Sequence, residues 1–523
     1  MDFRVLATRG VGGHRQYRIP ALGVTPSGRL LAVYDGRPDL DDLPGPIDLV
    51  MRVSDDDGNT WSEQTVLRPA RDIRGFGDAS IVVDPTVGAH GRIIVFSQAT
   101  ELAGFFESAL GCDDDDPGIA HVEISISDDN GVTWSHRRIT SQVKADDTAA
   151  IFATSGMGGR IAVGEYAGRL LQTFVLRRRG EVLAAVGYSD DHGQTWSLGA
   201  EIPGGNESAA VGLADGTVLV HSRAYPHRLS GCSVDGGQTL QTLAPDKALT
   251  DPGDNGSLCA LPTGDVVCTH NHDGDLRRNT VVKRSHDGGL TWPEAVVIEA
   301  GSSAYSTACP LPNGDIGVLF ERNGYTEMVF ARVTDADFHP AEQVLRPVVD
   351  AHGIEREFVL RYVLPARLPL PEAELEQLGR LIPPADTSVW EAFERKEVGH
   401  PGATSEPIYT RAELDVLLGQ TTPGLHVGDE LRFSGRVANH ADAALADISV
   451  VCDRADFRHS QDVLAAGQRM VFPDLRVLVS AADVAAGELG ISFVWRATPA
   501  GDSRELAGTE QLRFSTETGL PLR

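Results

Sequence analysis

The amino-acid sequence predicts an all-β protein: a six-bladed β-propeller, then a short helical linker and a small immunoglobulin-like β-sandwich. Three observations support this prediction. An acidic turn motif recurs along residues 1–345, a charged helical pattern lies within residues 346–407, and strand-like alternation without the motif fills residues 408–523. The 56 glycines and 29 prolines among 523 residues suit many short strands joined by turns. This length exceeds one ordinary compact core, so separate domains are expected.

The acidic turn motif has the form Ser-x-Asp-x-Gly-x-Thr-Trp. Its Asp can accept hydrogen bonds from nearby backbone amides, Gly supplies a positive φ, and Trp packs beneath the turn. The copies are spaced by about one four-stranded sheet, as propeller blades are. A further copy at Ser233 carries Leu240 in place of Trp. The complete copies begin at Ser54, Ser127, Ser189 and Ser285. The motif is therefore interpreted as structural, not catalytic.

The pattern changes beyond residue 345. The segment Pro371–Val398 is charged and has helical periodicity, which predicts a linker or bracing segment. From Ile408 onward, runs such as "ELRFSGRVAN" and "GISFVWRAT" alternate as strands do, which is typical of a small β-sandwich. No chemistry is expected in this last part.

Charge and composition exclude several functions. The formal net charge of −28 argues against nucleic acid and anionic membranes as partners, although a local basic cluster can still bind a small anion. No apolar run has the length of a membrane span, so no membrane insertion is expected. The six scattered cysteines form no CxxC pair, which predicts buried free thiols. The N-terminus lacks an apolar signal region, which predicts a cytoplasmic protein, or alternatively a secreted one whose signal was removed.

Several segments in the first part resemble one family. They are "YRIPAL" (Tyr17–Leu22), "YDGRPDLDDLPGP" (Tyr34–Pro46), "GGNESAAVGLADGTVLVHSR" (Gly204–Arg223), "LRRNTVVKRS" (Leu276–Ser285) and "GSSAYSTACPLPNGDIGVLFE" (Gly301–Glu321). Together with the acidic turn motifs, this set is similar to the bacterial exo-sialidases (neuraminidases) with a six-bladed propeller. The similarity extends over residues 10–340 in consistent order.

The resemblance implies roles for particular residues. Arg37 resembles a further pocket arginine of the family, and Asp42, directly before "LPGP", resembles its acid/base. Glu207 and Tyr305 resemble the pair that forms the nucleophile. Asp39 and Asp41 share the loop of Asp42 and remain alternatives to it. The three-arginine clamp of the family is matched by Arg18, Arg223 and Arg277, with Arg278 as a competitor for the last position.

The chemistry of a sialic acid suits these residue types. Its carboxylate lies on the anomeric carbon, and three guanidiniums can hold it by planar, bidentate bonds. A carboxylate nucleophile would meet that negative charge at close range, whereas a neutral Tyr305 would not. Because the ordinary pKa of tyrosine is about 10, Glu207 is needed as its base. Asp42 would protonate the leaving oxygen and later activate water, so the anomeric configuration is retained.

Other assignments stay open. Asp78 and Asn255 are candidates to line the pocket, with turn residues as the alternative. The "CDDDDP" run at Cys112–Pro117 lacks EF-hand spacing and is interpreted as a solvated loop rather than a calcium site. No metal or cofactor is expected. The expected partners are sialylated oligosaccharides, glycoproteins or glycolipids, and the sequence does not indicate an oligomeric state.

Three alternative functions remain. The first is hydrolysis of a related 2-keto-3-deoxy sugar acid glycoside such as KDN or Kdo, because the clamp recognises the shared carboxylate. The second is a non-catalytic sialoglycan-binding propeller, which would lack Tyr305, Glu207 or Asp42. The third is sialyl transfer, which needs an acceptor site that the sequence does not reveal.

Overall fold

The computed structural model describes residues 1–71, 74–366, 423–455, 457–501 and 503–522, and within them the chain is nearly all β. The prediction of an all-β protein is therefore confirmed. The strands of the first part are β1 (Asp2–Thr8), β2 (Gln16–Val24), β3 (Leu30–Arg37), β4 (Asp48–Ser54), β5 (Thr65–Arg68), β6 (Gly75–Asp84), β7 (Arg92–Thr100), β8 (His121–Ser127), β9 (Ser135–Arg138), β10 (Thr148–Ala153), β11 (Gly156–Met157), β12 (Gly159–Arg160), β13 (Leu170–Arg178), β14 (Glu181–Ser189), β15 (Ser197–Pro203), β16 (Ser208–Gly212), β17 (Val218–Ser222), β18 (His227–Ser233), β19 (Ala244–Thr250), β20 (Ser257–Ala260), β21 (Val266–Asn271), β22 (Arg278–Ser285), β23 (Glu294–Pro310), β24 (Ile316–Arg322), β25 (Glu327–Val333) and β26 (His339–Pro340).

The strands of the second part are β27 (Ile354–Leu364), β28 (Glu430–Asn439), β29 (Leu445–Cys452), β30 (Phe457–Leu464), β31 (Arg469–Leu478), β32 (Glu488–Pro499) and β33 (Leu506–Ser515). Helices are short in the described ranges: α1 (Thr140–Val143), α2 (Ala341–Val344), α3 (Ala481–Ala486) and a 3-10 turn at Asp335–Asp337. None of these helices is long and apolar enough to cross a membrane.

The first part consists of antiparallel four-stranded arrays. β2–β5, β6–β9 and β16–β19 each form one array, and β10, β13, β14 and β15 form another. The long strand β23 pairs with β22 through Ser302 and with β24 from Ser303 onward, so it belongs to two arrays at once. The last array is completed by β1 from the N-terminus, which pairs with β25.

Apolar side chains lie between consecutive arrays and close them into a ring. Phe96 on β7 packs with Phe174 on β13 in one such layer. The layer that closes the ring joins Leu319 and Phe330 of the last array to Leu22 and Tyr34 of the first. Successive side chains along each strand point to opposite faces, so one array can pack against a neighbour on either side. This arrangement is that of a propeller-type fold.

The acidic turn motif lies between the third and fourth strands of its array. In the first copy, Asp56 accepts hydrogen bonds from the Thr60 backbone N–H (2.8 Å) and hydroxyl (2.6 Å) and from the Ser54 hydroxyl (2.8 Å). Gly58 has φ of 80° and donates its N–H to Ser54 Oγ, and Trp61 donates to the Gly58 carbonyl. In the copy without Trp, Leu240 packs against the neighbouring apolar layer. The motif is thus a self-contained turn away from the ring centre.

The second part is a pair of packed sheets, β27-β28-β31 and β30-β29-β32-β33. Phe433 and Leu475 of one sheet pack against Ile491 and Phe493 of the other. The predicted linker, 346–407, needs a correction, because Ile354–Leu364 is strand β27 and pairs along its whole length with β28. Its alternating apolar residues cover the sandwich core, which is why the chain folds there. The predicted helical segment Pro371–Val398 lies outside the described residues.

Candidate active site

The candidate site lies where inner strands of different arrays bulge. The pairing of β2 with β3 shifts between Arg18 and Ala21, and Ile19 adopts φ of 62° within that bulge. The pairing of β23 with β24 shifts between Ser303 and Ser306, on either side of Tyr305. A bulge redirects a side chain, and positive φ at a β-branched residue is strained. These bulges turn Arg18 and Tyr305 toward one pocket.

Tyr305, Glu207 and Arg223 form the centre of this pocket. The Tyr305 hydroxyl donates to Glu207 Oε2 at 2.7 Å, and Arg223 Nη1 donates to the same hydroxyl at 2.9 Å and to Glu207. Burial, followed by the Glu207 charge, raises the pKa of Tyr305 well above its ordinary value, although Arg223 and Arg277 oppose the shift. The phenol is therefore neutral near pH 7 and already points its proton at a carboxylate.

Arg18 is held by Glu321, a buried residue that the sequence analysis did not identify. Arg18 Nε donates to Glu321 Oε1 at 3.0 Å, and the backbone N–H groups of Ile19 (2.7 Å) and Tyr305 (3.2 Å) donate to the same carboxylate. The Arg18 guanidinium lies 4.0 Å from the ring centre of Tyr325. Burial opposes its charge, but Glu321, together with Tyr325, Asp42 and Tyr305, outweighs burial and raises the pKa of Arg18. Glu321 thus fixes both Arg18 and the backbone of Tyr305.

The two candidates for the third clamp position point in opposite directions. Arg277 Nη1 donates to the Tyr325 hydroxyl at 2.8 Å, and its Nη2 lies 3.4 Å from Asp254 Oδ1. The Arg277 guanidinium also lies 5.6 Å from the Tyr305 ring centre, and 30% of its side chain is exposed. Arg278 instead pairs with Glu357 of the second part at 2.8 Å. The structure therefore places Arg277, and not Arg278, beside Tyr305.

Arg37 links two carboxylates at the rim. It donates to Asp35 Oδ2 through Nη2 (2.6 Å) and to Asp42 Oδ1 through Nη1 (2.7 Å). The Asp42 side chain is 81% exposed at the pocket mouth, although protein surrounds it closely on its inner side. The partial burial of Asp42 would raise its pKa, but Arg37 and then Arg18 outweigh this and lower it. Asp42 is thus a carboxylate in the free protein and would have to gain a proton before it could act as an acid.

The two further candidates differ in their surroundings. Asp78 lies in a bulge of β6 with φ of 57°, and its N–H donates to Asp35 Oδ1. Burial, then the Asp35 charge, raises the pKa of Asp78 well above its ordinary value, which favours the protonated form of this carboxyl among its acidic neighbours. Asn255 instead uses its amide to donate to Ser155 Oγ (2.9 Å) and to accept from the Gly256 N–H.

The sequence analysis missed three side chains that orient the arginines: Glu321, Asp254 and Tyr325. Asp254 is fully buried, and burial raises its pKa to about 6 against the opposing charge of Arg277. Glu321 ends the apolar run "IGVLFE", where a charged residue in an otherwise buried strand is a usable signal. Nothing in the local sequence marks Tyr325. Over the described residues, no group of three or more His, Cys, Asp or Glu is arranged to hold a metal ion.

The fold and this pocket define a propeller-type protein with an arginine-rich site built around a tyrosine–glutamate pair. The chain belongs to the family of the BNR repeat-like domain, whose model matches residues 28–318. This confirms the resemblance at the level of the family.

Individual relatives agree with this assignment. The chain is 39% identical over 334 residues to a sialidase of Micromonospora viridifaciens, a match covering 60% of this chain and 51% of that protein. It thus spans about half the length of that relative. The solved structure of the Hadza microbial sialidase Hz136 is 25% identical with a TM-score of 0.57, covering 62% of this chain and 66% of that one. A mutant Trypanosoma rangeli sialidase displaying trans-sialidase activity shares the fold at 14% identity, with a TM-score of 0.52 over 99% of this chain and 91% of its own.

Proposed function

We propose that this protein is a retaining exo-α-sialidase that removes terminal α-linked sialic acids from glycoconjugates. The observation that carries the proposal is the 2.7 Å hydrogen bond from the Tyr305 hydroxyl to Glu207, set among Arg18, Arg223 and Arg277. A pocket that bound the sugar without cleaving it would not need a tyrosine paired with a base. The sialidase names of the relatives support the same substrate class.

The substrate carboxylate would bind at the three arginines. Arg18 uses Nε and Nη2 for Glu321, which is one edge of its guanidinium and leaves the Nη1 side for a ligand. Arg223 and Arg277 are 25% and 30% exposed, so both can still reach a bound anion. Planar guanidiniums with several N–H donors suit a carboxylate better than ammonium groups do.

In the first step, the Tyr305 oxygen attacks the anomeric carbon while Glu207 takes the phenolic proton. The bond to the leaving oxygen breaks, and Asp42 supplies the proton that this oxygen needs. Because Arg37 and Arg18 lower the pKa of Asp42 in the free protein, we propose that the bound substrate covers the exposed carboxyl and shifts it toward its protonated form. The product of this step is a sialyl–tyrosine intermediate.

In the second step, water attacks the anomeric carbon and gives its proton to Asp42. The Tyr305 oxygen leaves and recovers its proton from Glu207, so the enzyme returns to its starting state. Two displacements at one carbon retain the anomeric configuration. Asp78, a neutral acid in this environment, would donate a hydrogen bond to the sugar.

We also propose the finer architecture. The four separate arrays and the two that share β23 would be the blades of a six-bladed propeller, supported by the continuous ring of apolar layers. The N-terminal catalytic domain would end near residue 345. The two packed sheets would be an immunoglobulin-like sandwich, which starts at β27 rather than at residue 408.

The test is turnover of aryl α-glycosides of N-acetylneuraminic acid, KDN and Kdo. We expect preference for the first, and loss of about 10²–10⁴ in kcat for Glu207→Gln, which keeps the shape of the base but removes its charge. A matched control is Glu299→Gln, which changes a carboxylate outside the pocket. The proposal is wrong if the wild type turns over none of the three, and the nucleophile assignment is wrong if Tyr305→Phe retains the full rate.

A further inference from the structure

The turn that carries Arg277 is anchored by the second part of the chain. Arg436, on β28, is buried, and its Nη1 lies 2.5 Å from Asp273 Oδ1 and 3.1 Å from Asp275 Oδ2. Its Nη2 contacts Glu355 on β27. One guanidinium of the sandwich therefore holds two carboxylates of the propeller and one of its own sheet.

Asp273 connects Arg436 to the backbone that directly precedes Arg277. Asp273 Oδ1, which contacts Arg436, also accepts hydrogen bonds from the backbone N–H groups of Asp275 (2.9 Å) and Leu276 (3.1 Å). Leu276 is only 1% exposed, so the residue directly before Arg277 is fixed by packing as well. A carboxylate that bonds two successive amides defines the conformation of a turn.

The residue after Arg277 is anchored to the second part too. Arg278 Nη1 pairs with Glu357 on β27 at 2.8 Å and lies 3.6 Å from Asp273 Oδ2. Arg277 thus stands between the buried Leu276 and the interface residue Arg278, while its own side chain enters the pocket toward Tyr325 and Asp254.

Strand β27 also lies directly behind the pocket tyrosines. Tyr362 packs against the cluster of Tyr305 and Tyr325, and the Ser302 hydroxyl donates to the Leu360 carbonyl. A Cβ on Gly324, next to Tyr325, would lie 2.8 Å from Leu360 Cγ, so the two parts are in close contact there. The contacts of Arg436 are therefore one side of a continuous interface beneath the site.

From these contacts we infer that Arg436 is a positioning residue for Arg277, so that the sandwich takes part in substrate binding without touching the substrate. This inference rests on the proposed function. Without Arg436, the negative charges of Asp273, Asp275 and Glu355 lie close together with less positive charge to balance them. The turn that carries Arg277 then moves. A displacement of about 1 Å at a binding group can cost up to about 10²-fold in efficiency.

The expected kinetic signature is a change in KM. Arg277 would bind the substrate carboxylate, which is present in the ground state and in the transition state alike. A weaker contact with Arg277 therefore lowers the affinity of the enzyme for both states. Arg436→Met is expected to raise KM for an aryl α-sialoside about tenfold and to change kcat by less than about threefold. Arg436→Lys keeps the charge and is expected to fall between Met and the wild type. The matched control is Arg432→Met on the same strand, whose partners Glu430 and Asp474 both belong to the second part.

A double-mutant cycle separates positioning from general destabilisation. If Arg436 acts through Arg277, Arg436→Met raises KM about tenfold in the wild type but less than about twofold in the Arg277→Lys background. An equal effect in both backgrounds would overturn the inference, as would an Arg436→Met enzyme whose KM matches that of the Arg432→Met control. If Arg436→Met does not fold, Asp273→Asn replaces it, since an amide still accepts the two backbone N–H groups but pairs weakly with Arg436.

Calorimetric titration with free N-acetylneuraminic acid keeps the inference separate from the proposed activity. If the wild type binds this acid without hydrolysing its glycosides, the sialidase proposal fails, and the same cycle in Kd decides the role of Arg436. If the wild type neither binds nor hydrolyses, the proposed function and the positioning role fail together. Turnover by the wild type with no response to Arg436→Met refutes the positioning role alone.

Discussion

Glu321→Gln is the most informative substitution in the pocket, because Glu321 is fully buried and bonds several groups at once. Its Oε1 accepts from Arg18 Nε (3.0 Å) and from the Ile19 N–H (2.7 Å). Its Oε2 accepts from the Tyr305 N–H (3.2 Å) and from Arg18 Nη2 (3.4 Å). Glutamine keeps the shape and one acceptor oxygen but presents an NH2 group to the other two donors.

The loss of stability expected for Glu321→Gln follows from these contacts. The bonds that Oε2 accepts from the Tyr305 N–H and from Arg18 Nη2 are replaced by donors facing a donor, and one charge-assisted hydrogen bond contributes about 1.5–3 kcal/mol. The buried Arg18 also loses its carboxylate partner, a change that costs about 3–5 kcal/mol when no other partner remains. Because Gln retains the Oε1 contacts, we expect the free energy of unfolding to fall by about 3 kcal/mol. KM for an aryl α-sialoside should rise as well, since Arg18 and Tyr305 both lose orientation.

The assay is urea denaturation of both proteins, with KM measured on the same preparations. Glu294→Gln is the control: Glu294 pairs with Arg284 and His286 at the surface, and its loss should cost no more than about 1 kcal/mol. A Glu321→Gln protein as stable as this control, with the KM of the wild type, would refute the assignment of Glu321 as the support of the clamp.

Three further substitutions test separate parts of the structure. Asp42→Asn should reduce kcat by about 10²–10⁴ on sialosides with a sugar leaving group and less on activated aryl glycosides, and comparison of the two substrates checks this. Asp254 has a folded pKa raised to about 6 from 3.8, so its contribution to stability is present below pH 3.8 and is lost as pH rises through 6. The stability of the wild type relative to Asp254→Asn should therefore fall by about 2 kcal/mol between pH 4 and pH 7, measured by urea denaturation at both pH values. Asp56→Ala removes the acceptor of the first acidic turn and should cost about 1–2 kcal/mol in stability while KM stays unchanged.

The turns and strands could be predicted from the sequence because their causes are local. Asp56, Gly58 and Thr60 complete their hydrogen bonds within one turn, so a short motif is enough to place it. The last array has no such copy of the motif because its fourth strand, β1, comes from the N-terminus and no turn joins it to β25. Closure of the ring is a contact between β1 and β25, which lie far apart in the sequence, and local patterns do not report it.

The supports of the pocket could not be predicted in the same way. Glu321 acquires its role only when β24 meets β2 of another array. Asp254 is separated from Arg277 along the chain by strands β20 and β21, so the local sequence around the arginine does not include it. Arg277 and Arg278 are adjacent and equally charged, and only the surrounding carboxylates separate them. The linker prediction was wrong for β27 because the strand's partner, β28, lies more than sixty residues further along the chain.

The pocket proposed to bind an anion is not a region of unbalanced positive charge. Arg18 pairs with Glu321, Arg37 with Asp35 and Asp42, Arg223 with Glu207 and Arg277 with Asp254. Each carboxylate holds one edge of a guanidinium and thereby fixes the direction of the remaining N–H groups. Recognition then depends on the geometry of those donors more than on attraction by net charge, which suits a chain with a formal charge of −28. This dependence on geometry also explains why contacts remote from the substrate affect its binding. A displaced carboxylate redirects its arginine, and the N–H donors no longer converge on a single anion.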